Sequence, residues 1–482
     1  MTTMSIGVVA SVTLLLFLST TSMNMTMSGA NALSQSIVVI GLNPALQKRF
    51  VLPIDTDLEP GNVHRCARLD IGVGGKGQDV GVALSCLMQS STKKREEEEK
   101  VGDEKETAPC DVSSRVIMAQ FLGAGAEGDA VSSALRYRHG LVDDSLTIRN
   151  VAPLRTCTTI VGANRATELV ETSGTVTNEE MMELMDKIDE LTSGGDGKGA
   201  DCVCVMGSMP PGCPEDTYAT MISRLADHGS LVLVDSVIGL DPLLGSLKSI
   251  YDNDDDEYDS SNKNGGGYAV LKLNAAELCK LASVTKSGGE GCQVAYEELS
   301  IASRKFVAKY ANAMGGLEYL CVTDGKFPGY VVEVPKSTSS AASGGGESFR
   351  TWQLPTVDLS NRGTLYPIGA GDTVSGATLA AMQYLRRGGF IEGRGGGVVP
   401  SEVGKLLSEK KAEWSGDIGG GILKSEDDDS SRDIVTAFAF GLACGSASCL
   451  REDNSVFDVD DAMSFFGDMS KPIVRSITSM DV

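Results

Sequence analysis

The sequence predicts an α/β protein built around a mainly parallel β-sheet. From residue 36 onward, short runs rich in β-branched residues alternate with segments whose apolar residues recur at helical spacing. Consecutive parallel strands need a crossover, which is usually a helix, so this alternation favours parallel pairing. The strand segments are Ile37–Gly41, Val116–Leu122, Cys202–Met206, Leu231–Asp235, Val270–Leu273 and Tyr319–Thr323, and the helical segments are Val80–Leu87, Ala130–His139, Glu215–Asp227, Ala275–Ala282, Tyr296–Ala313 and Val374–Leu385.

Two regions break this alternation. Residues 47–72 and 147–172 contain pairs of alternating strands separated by turn residues. They predict a small β-sheet beside the main layers. Ligands of open α/β sheets bind outside the carboxyl ends of the strands, where the motifs of this chain also lie. We therefore expect the small sheet to be a lid over the ligand.

Low-complexity segments interrupt the chain. The 482 residues are 41% hydrophobic, which is enough for one large core. Segments near residues 90–114, 251–267, 336–348 and 388–432 are instead biased toward charge or toward Gly and Ser. Such segments bury too little apolar surface to offset the entropy lost on ordering them. They predict solvated insertions, outside the core, in one domain spanning residues 36–482.

The charge of the chain argues against a nucleic-acid-binding protein. There are 65 acidic against 42 basic residues, and the net charge is -23. Binding to phosphate backbones needs a basic face, and the Lys and Arg residues form no stripe with interleaved aromatic residues. The acidic excess favours a solubilising surface.

Residues 1–35 have the features of a signal segment. The apolar run Ile6–Leu18 is shorter than the roughly 20 residues that a membrane-spanning helix needs, and Ala30-Asn31-Ala32 follows it as a small-residue cleavage pattern. We expect entry to the secretory route, on the way to a plastid-type organelle, and no stable membrane insertion of the mature chain. The segment before the apolar run carries no Lys or Arg, so a cytoplasmic location stays open.

The run PIGAGDT, residues 367–373, carries the most chemistry. The small residues Gly369–Gly371 enter a predicted helix and leave backbone N–H groups open at the positive end of its dipole, where a phosphoryl oxygen is stabilised. Asp372 beside this anion hole can take the proton from an attacking hydroxyl. The run therefore predicts phosphoryl transfer to an alcohol. The alternative is an ordinary helix start capped by Asp.

Two glycine-containing turns follow predicted strands. The turn GGKG contains Lys76, a cation compatible with phosphate, although a lysine in a turn is more often a surface residue. The turn GSMPPG contains Ser208 and a rigid Pro-Pro-Gly corner, which is often only a connection. Each turn alone is a weak signal.

Two further motifs suit a nucleotide. Asn274 and Glu277 are one helical turn apart at the start of a helix, a spacing that suits either hydrated Mg²⁺ near phosphate oxygens or a capping box. The segment VTDGKFPG, from Val322 to Gly329, is a strand followed by a glycine loop. Alone it is a hairpin, and beside the other motifs it offers hydroxyl and backbone donors to a nucleotide.

The order of these motifs resembles that of the PfkB-type branch of the ribokinase sugar-kinase family. Along the chain it runs GGKG, GSMPPG, KLNAAEL, VTDGKFPG and PIGAGDT. Within the family the chain looks most like the phosphosugar kinases, such as 1-phosphofructokinases and tagatose-6-phosphate kinases. The segments that indicate this branch are Gly41-Leu42-Asn43-Pro44-Ala45, the GGKG turn, and Leu154-Arg155-Thr156 leading into Thr167-Glu168-Leu169.

The resemblance covers residues 36–474 outside the insertions. It implies a ribokinase-like three-layer fold with a small β-sheet lid. It also implies ATP-dependent transfer to a hydroxyl of a sugar or sugar phosphate, as in a 1-phosphofructokinase or a hexose-phosphate kinase. Mg²⁺ would be required, while a monovalent cation and a homodimer stay open. The alternatives are a catalytically silent scaffold or binding subunit and a nucleoside kinase.

The resemblance also implies a role for each matching residue. Asp372 resembles the catalytic base, beside an anion hole for the transferred phosphoryl group. The base and its anion hole are Asp372 with Gly369, Ala370 and Gly371. The nucleotide site comprises Lys272, Asn274, Glu277, Thr323, Gly325 and Gly329. The acceptor site comprises Gln47, Gly75, Lys76, Asp79, Arg155 and Ser208. Within the nucleotide set, Asn274 and Glu277 would hold Mg²⁺ through its waters. Lys76 and Arg155 match positions that handle the phosphate of the acceptor.

Two departures fall on the acceptor side. Family members commonly have Asp where this chain has Gln47, and Asn where it has Asp79. Exchanging a carboxylate between the two positions would preserve local charge while changing which hydroxyls are recognised. The sugar therefore cannot be copied from relatives.

Overall fold

The computed structural model describes the chain in ten stretches, which are residues 36–99, 115–163, 166–193, 199–251, 267–286, 292–310, 313–335, 349–386, 398–418 and 427–477. The expected signal segment and the insertion at 336–348 lie outside these stretches, as does nearly all of the insertion at 251–267. Within the ten stretches no helix is long and apolar enough to cross a membrane.

Strands and helices alternate along most of the chain. The strands are β1 (Ser36–Ile40), β2 (Ala45–Val51), β3 (Arg68–Gly74), β4 (Arg115–Ala124), β5 (Thr147–Pro153), β6 (Thr156–Val161), β7 (Ala166–Val170), β8 (Cys202–Met206), β9 (Leu231–Asp235), β10 (Tyr268–Asn274), β11 (Leu317–Asp324), β12 (Phe327–Glu333), β13 (Phe349–Leu354) and β14 (Ile473–Ile477). The helices are α1 (Lys76–Glu99), α2 (Ala126–Ser133), α3 (Asn178–Ser193), α4 (Thr217–Leu225), α5 (Leu240–Tyr251), α6 (Ala275–Leu281), α7 (Tyr296–Tyr310), α8 (Ala370–Arg386), α9 (Ser401–Ile418), α10 (Asp427–Ser448) and α11 (Val459–Asp468), and a π-helical turn, Ala134–Arg138, continues α2.

A ten-stranded sheet forms the centre of the fold. Its order is β14-β13-β12-β11-β10-β9-β8-β1-β4-β5. The seven strands from β11 to β5 pair in parallel, and β12, β13 and β14 add antiparallel strands at one edge. The expected α/β architecture with a mainly parallel sheet is therefore confirmed.

Both faces of this sheet are covered, which gives three layers. Ile37 and Val39 of β1 point into one core with α1, α8, α9 and α10. Val38 and Ile40 point into a second core with α3, α4, α5 and α7. Successive side chains of a strand point to opposite faces, so a central parallel strand is apolar throughout, as the run SIVVI of β1 mostly is.

A separate four-stranded sheet has the order β3-β2-β6-β7. β2 pairs antiparallel with β3 and parallel with β6, and β6 pairs antiparallel with β7. The small sheet is thus confirmed, but the boundary expected at residue 147 is wrong. Residues Thr147–Pro153 form β5 and pair with β4 in the large sheet. A strand at the edge of either sheet alternates between buried and exposed residues, so this alternation did not show which of the two sheets β5 joins.

The insertion expected at residues 388–432 is only partly an insertion. Helix α9 lies within it, and Val403, Leu407 and Trp414 are fully buried. The Trp414 ring packs edge-on against Phe466, with 5.9 Å between ring centroids. The prediction that this segment stays outside the core is therefore wrong. The flanking Gly and Asp runs hid a helical spacing of apolar residues.

The start of the insertion expected at 90–114 is also helical. α1 continues through Glu99, where charged residues with good helix propensity extend the buried part of the helix. Residues 100–114 lie outside the described stretches.

Candidate active site

The predicted motifs meet at one edge of the large sheet. β1, β8, β9 and β10 are parallel neighbours, so their carboxyl ends lie side by side. The GLNPA segment follows β1, Ser208 follows β8, and Asn274 ends β10. Ligands of open α/β sheets bind along such an edge.

The PIGAGDT run forms the turn into α8. Gly369 has φ +82°, and a Cβ there would lie 2.6 Å from Ser455 Oγ, so glycine is required. α8 begins at Ala370, four residues earlier than the helical pattern indicated. The Ala370 N–H donates to Pro367 O at 3.2 Å and is not open as expected. The anion hole therefore stays a prediction, and the N–H groups of Gly371 and Asp372 in the first turn of α8 are its candidate donors.

Asp372 lies in the first turn of α8, between charges of both signs. Its side chain is partly exposed at the opening of the site but is surrounded by protein on its other sides. Burial, reinforced by the negative charge of Asp235, raises the pKa of Asp372 to about 7, although Lys76 and Lys272 act in the opposite direction. A carboxyl with a pKa near neutrality can accept a proton from a hydroxyl and release it again.

Asp235 is the charged residue of this site that the sequence analysis missed. It ends β9, is 1% exposed, and lies between two lysines. Its Oδ1 accepts from Lys76 Nζ at 3.0 Å, and its Oδ2 accepts from Lys272 Nζ at 2.6 Å and from Ser375 Oγ at 2.8 Å. Burial opposes ionisation, but the two lysines hold the pKa of Asp235 below its usual range. An Asp at the end of the buried run LVLVD was the available signal.

Lys272 connects this network to the anion hole. Its Nζ donates to the carbonyl oxygen of Gly371 at 3.0 Å as well as to Asp235. The side chain is 6% exposed. The structure therefore brings the predicted nucleotide residue Lys272 to the turn that precedes Asp372.

Asn274 and Glu277 form a capping box at the start of α6. Glu277 N donates to Asn274 Oδ1 at 2.8 Å, and Asn274 N donates to Glu277 Oε2 at 2.9 Å. Glu277 Oε1 stays outside the box and lies 3.9 Å from Lys76 Nζ. Mg²⁺ keeps several waters and needs only one or two protein carboxylates, so this oxygen fits a hydrated ion. Within the described stretches no group of three His, Cys, Asp or Glu residues could hold a metal ion alone.

A cavity of about 270 Å³ adjoins Lys76. Arg155 lines it and donates from Nη2 to Asn43 O at 2.8 Å and from Nε to Pro44 O at 3.3 Å. Two of its five N–H groups are thus used to fix the loop after β1. Ser208 Oγ accepts from Asn43 Nδ2 at 3.0 Å across the same cavity. Lys76, Arg155 and Ser208 are therefore brought together as predicted.

The two residues that depart from the family pattern, Gln47 and Asp79, do not line this cavity, and Gln47 lines a separate small pocket with Arg49 and Asn454. Gln47 is buried in β2 and donates from Nε2 to Thr159 Oγ1 at 2.7 Å. Asp79 lies in the first turn of α1, where its N–H donates to Gly75 O. It is 5% exposed, and its Oδ1 has no hydrogen-bond partner among the described residues.

The environment of Asp79 disfavours its charged form. Burial, reinforced by Asp372 and Glu168, raises the pKa of Asp79 well above its usual value. A carboxyl with a raised pKa stays protonated, and therefore neutral, over part of the pH range in which an exposed carboxyl is ionised. A neutral carboxylic acid has an O–H donor and a carbonyl acceptor, and the Asn of relatives likewise has an NH₂ donor group and a carbonyl acceptor.

The predicted nucleotide loop is only partly near the site. Thr323 pairs with Asn274 across β11 and β10. Gly325 forms the turn between β11 and β12, with φ +62°. Gly329 is buried in β12 against Phe438 and Leu442 of α10, which gives it a packing role. Its contact with a nucleotide stays a prediction.

Similar proteins were found among solved structures, whereas no family model matches the chain. Phosphofructokinase-2 from Escherichia coli, in a complex with substrates and products, superposes with a TM-score of 0.54 at 16% identity, covering 89% of this chain and 98% of that one. Ribokinase from Giardia lamblia gives 0.53 at 12% identity, covering 89% and 99%. A protein described as possible 1-phosphofructokinase from Thermotoga maritima gives 0.50 at 15% identity, covering 92% and 99%. At these identities the likeness establishes the fold, and the expected ribokinase-like fold is confirmed.

Proposed function

We propose that this protein is an ATP-dependent kinase that phosphorylates a hydroxyl of a sugar phosphate. The observation that carries the proposal is Asp372, a carboxyl with a pKa of about 7 beside two backbone N–H groups at a helix start. A base and an anion hole in contact are what phosphoryl transfer to a hydroxyl requires. The fold shared with phosphofructokinase-2 and ribokinase supports the same activity.

In the proposed mechanism Asp372 accepts the proton of the acceptor hydroxyl. The N–H groups of Gly371 and Asp372 stabilise the negative charge on the transferred phosphoryl oxygens. Lys272 holds the Gly371 carbonyl and directs a remaining N–H toward the phosphates. Glu277 and Asn274 would hold Mg²⁺ through water, and the ion would neutralise charge on the ATP phosphates. No covalent intermediate with the protein is needed.

The acceptor would carry a phosphate of its own. The 270 Å³ cavity is lined by two cations, Lys76 and Arg155, by Ser208 as a hydroxyl donor, and at its margin by one carboxylate, Glu277. Guanidinium and ammonium groups suit phosphate oxygens, whereas a nucleoside acceptor has no anion to occupy them. This composition favours a sugar phosphate over a nucleoside.

The assay that tests the proposal is transfer from labelled ATP to a panel of acceptors by the full chain. Fructose 1-phosphate, fructose 6-phosphate, tagatose 6-phosphate, their unphosphorylated sugars and common nucleosides form the panel. We expect turnover with at least one sugar phosphate. Turnover only with nucleosides would establish the nucleoside-kinase alternative. No transfer to any acceptor, with ATP still bound in calorimetry, would favour the silent scaffold.

We also propose that the small sheet mediates a homodimer. Leu69 and Ile71 of β3 and Leu169 of β7 are 46%, 52% and 57% exposed on one face of this sheet, and exposed apolar residues on one face mark association surfaces. Ile71→Asp should convert a dimer to a monomer in light scattering. A monomeric wild-type protein would overturn this proposal.

The location of the protein is a separate proposal. Residues 1–35 would direct the chain to a plastid-type organelle through the secretory route. Imaging the tagged full-length chain beside one that lacks residues 1–32 tests this, and identical cytoplasmic staining would contradict it.

A further inference from the structure

A single buried carboxylate joins the acceptor side and the nucleotide side of the site. Asp235 contacts Lys76, which lines the acceptor cavity, and Lys272, which contacts the anion-hole turn. Its third donor, the Ser375 hydroxyl, lies one turn after Gly371 in α8, and Gly371 O at 3.2 Å is the alternative acceptor for its single O–H. Three elements of the site, α1, β10 and α8, are thus connected through one side chain.

The hydrogen bonds leave a defined number of donors for ligands. Each lysine ammonium has three N–H groups. Lys272 uses one on Asp235 and one on Gly371, and Lys76 uses one on Asp235. The 3.9 Å separation between Lys76 and Glu277 is too long for a hydrogen bond. Lys76 therefore has two N–H groups without an acceptor among the described residues, and Lys272 has one.

We propose that Asp235 is a positioning residue that fixes both lysines and keeps them from pairing with Asp372. This inference rests on the proposed kinase function. With Asp235 in place, the spare N–H groups of Lys76 point to the acceptor phosphate and that of Lys272 to the phosphates of ATP, while Asp372 stays available as the base.

The charges of the site support this role. Without Asp235, two ammonium groups would face Asp372, and a carboxylate paired with a nearby cation is a weaker base. Burial is the largest influence on the pKa of Asp372, and the Asp235 charge is the next, acting in the same direction. Removing Asp235 would therefore let the lysines lower the basicity of Asp372, and would leave each lysine free to change rotamer.

The test compares Asp235→Asn with the wild-type chain in steady-state kinetics and in calorimetric ATP binding. We expect kcat to fall by about 100-fold or more, because both the base and the lysines are displaced. KM should rise for the acceptor and for ATP together, and the acid limb of the pH–rate profile should move below the wild-type value. Asp186→Asn, an exposed substitution on α3 that also removes one negative charge, is the matched control and should match the wild type.

Each other outcome is informative. If the wild type is active and the Asp235→Asn variant keeps the same kcat and the same KM for both substrates, the inference is overturned. So would a folded variant with reduced kcat but an unmoved acid limb and unchanged affinities, since that result indicates a structural role alone. An inactive wild type is a failure of the proposed function instead, and then the loss of ATP affinity in Asp235→Asn still tests the positioning of Lys272.

A second pair of variants covers the case in which Asp235→Asn does not fold. Asp235→Asn leaves the buried Lys272 and the more exposed Lys76 without their carboxylate, whereas Lys76→Met/Asp235→Asn removes one charge of each sign. Lys76→Met alone should raise KM for the acceptor and leave KM for ATP unchanged. The double variant should raise KM for ATP as well, because Lys272 is released. An unchanged KM for ATP between the two would refute the inference.

Discussion

The proposed nucleotide side and the proposed acceptor side of Asp372 differ in how far their polar groups are already paired. On the nucleotide side, Asn274 and Glu277 form a capping box, and Lys272 donates to both Asp235 and Gly371. On the acceptor side, Asp79 has a buried oxygen without a partner among the described residues, and the same holds for Gln78 Oε1. Unpaired buried groups are costly, so a ligand that pairs with these two oxygens would gain affinity from them.

This difference indicates where specificity resides. A paired nucleotide side is already arranged before ATP binds, as a site for one constant ligand should be. The acceptor side instead offers unsatisfied atoms, and it contains both departures from the family pattern, Gln47 and Asp79. We infer that the identity of the sugar is set by the contacts that complete this side.

The largest expected effect is at the residue between the two sides. Asp372→Asn removes the base but keeps the shape of the side chain, so kcat should fall by about 10²–10⁴-fold. ATP affinity in calorimetry should stay within a few-fold of wild type, because the paired nucleotide side is untouched. Turnover within about threefold of wild type would show that Asp372 is not the base.

The pH dependence gives a second check on this residue. Asp372 must be ionised to accept a proton, and its pKa is about 7. The rate should therefore rise with pH through about 7 and level off above it. A profile that is already flat at pH 5 would contradict the raised pKa.

The next effect tests the acceptor side. Arg155→Ala removes a charged donor from the cavity and should raise KM for a phosphorylated acceptor by about 10–100-fold, the size expected for hydrogen bonds to a charged group. KM for ATP should change little. Equal changes in the two KM values would mean that Arg155 only holds the loop at Asn43 and Pro44, which it also contacts.

A comparable effect is expected on the nucleotide side. Glu277→Gln keeps the capping box, because Gln can accept the same N–H, but it removes the charge of Oε1. The Mg²⁺ concentration for half-maximal rate should rise by about 10-fold or more. The melting temperature should stay within 1–2 °C of wild type, since only a few tenths of a kcal/mol are at stake. A large loss of stability with unchanged Mg²⁺ dependence would leave the cap as the only role of Glu277.

The sequence predicted the sheet better than it predicted the site network. Periodicity and strand-end motifs identified the parallel strands and placed Asp372, Lys272 and Lys76 at one edge. Asp235 was missed because a carboxylate that ends an apolar strand has no motif of its own, and its meaning comes from lysines distant along the chain. Trp414 was missed because segment composition was averaged over a helix and its charged flanks.

The smallest expected effect concerns the unpaired carboxyl of the acceptor side. Asp79→Asn should leave turnover at pH 7 within about 10-fold of wild type, because Asn resembles the protonated acid that burial favours at this position. Relative activities across the acceptor panel should shift more than the best rate does. Asp79→Leu, which is similar in size but cannot hydrogen-bond, is the matched control and should lose most activity.

The stability of the Asp79→Asn variant reports the charge of Asp79 directly. The pKa of Asp79 is raised in the folded protein, first by burial and then by Asp372 and Glu168. Folding therefore favours the protonated form, and the stability this contributes is complete below the unfolded pKa of about 3.9 and is lost as pH rises through the folded pKa. Asn cannot ionise, so the variant should gain on the wild type in urea unfolding from pH 5 to pH 9. A constant difference across that range would mean that Asp79 is ionised throughout, and Asp79 would then act only as an acceptor for the hydroxyls of the sugar.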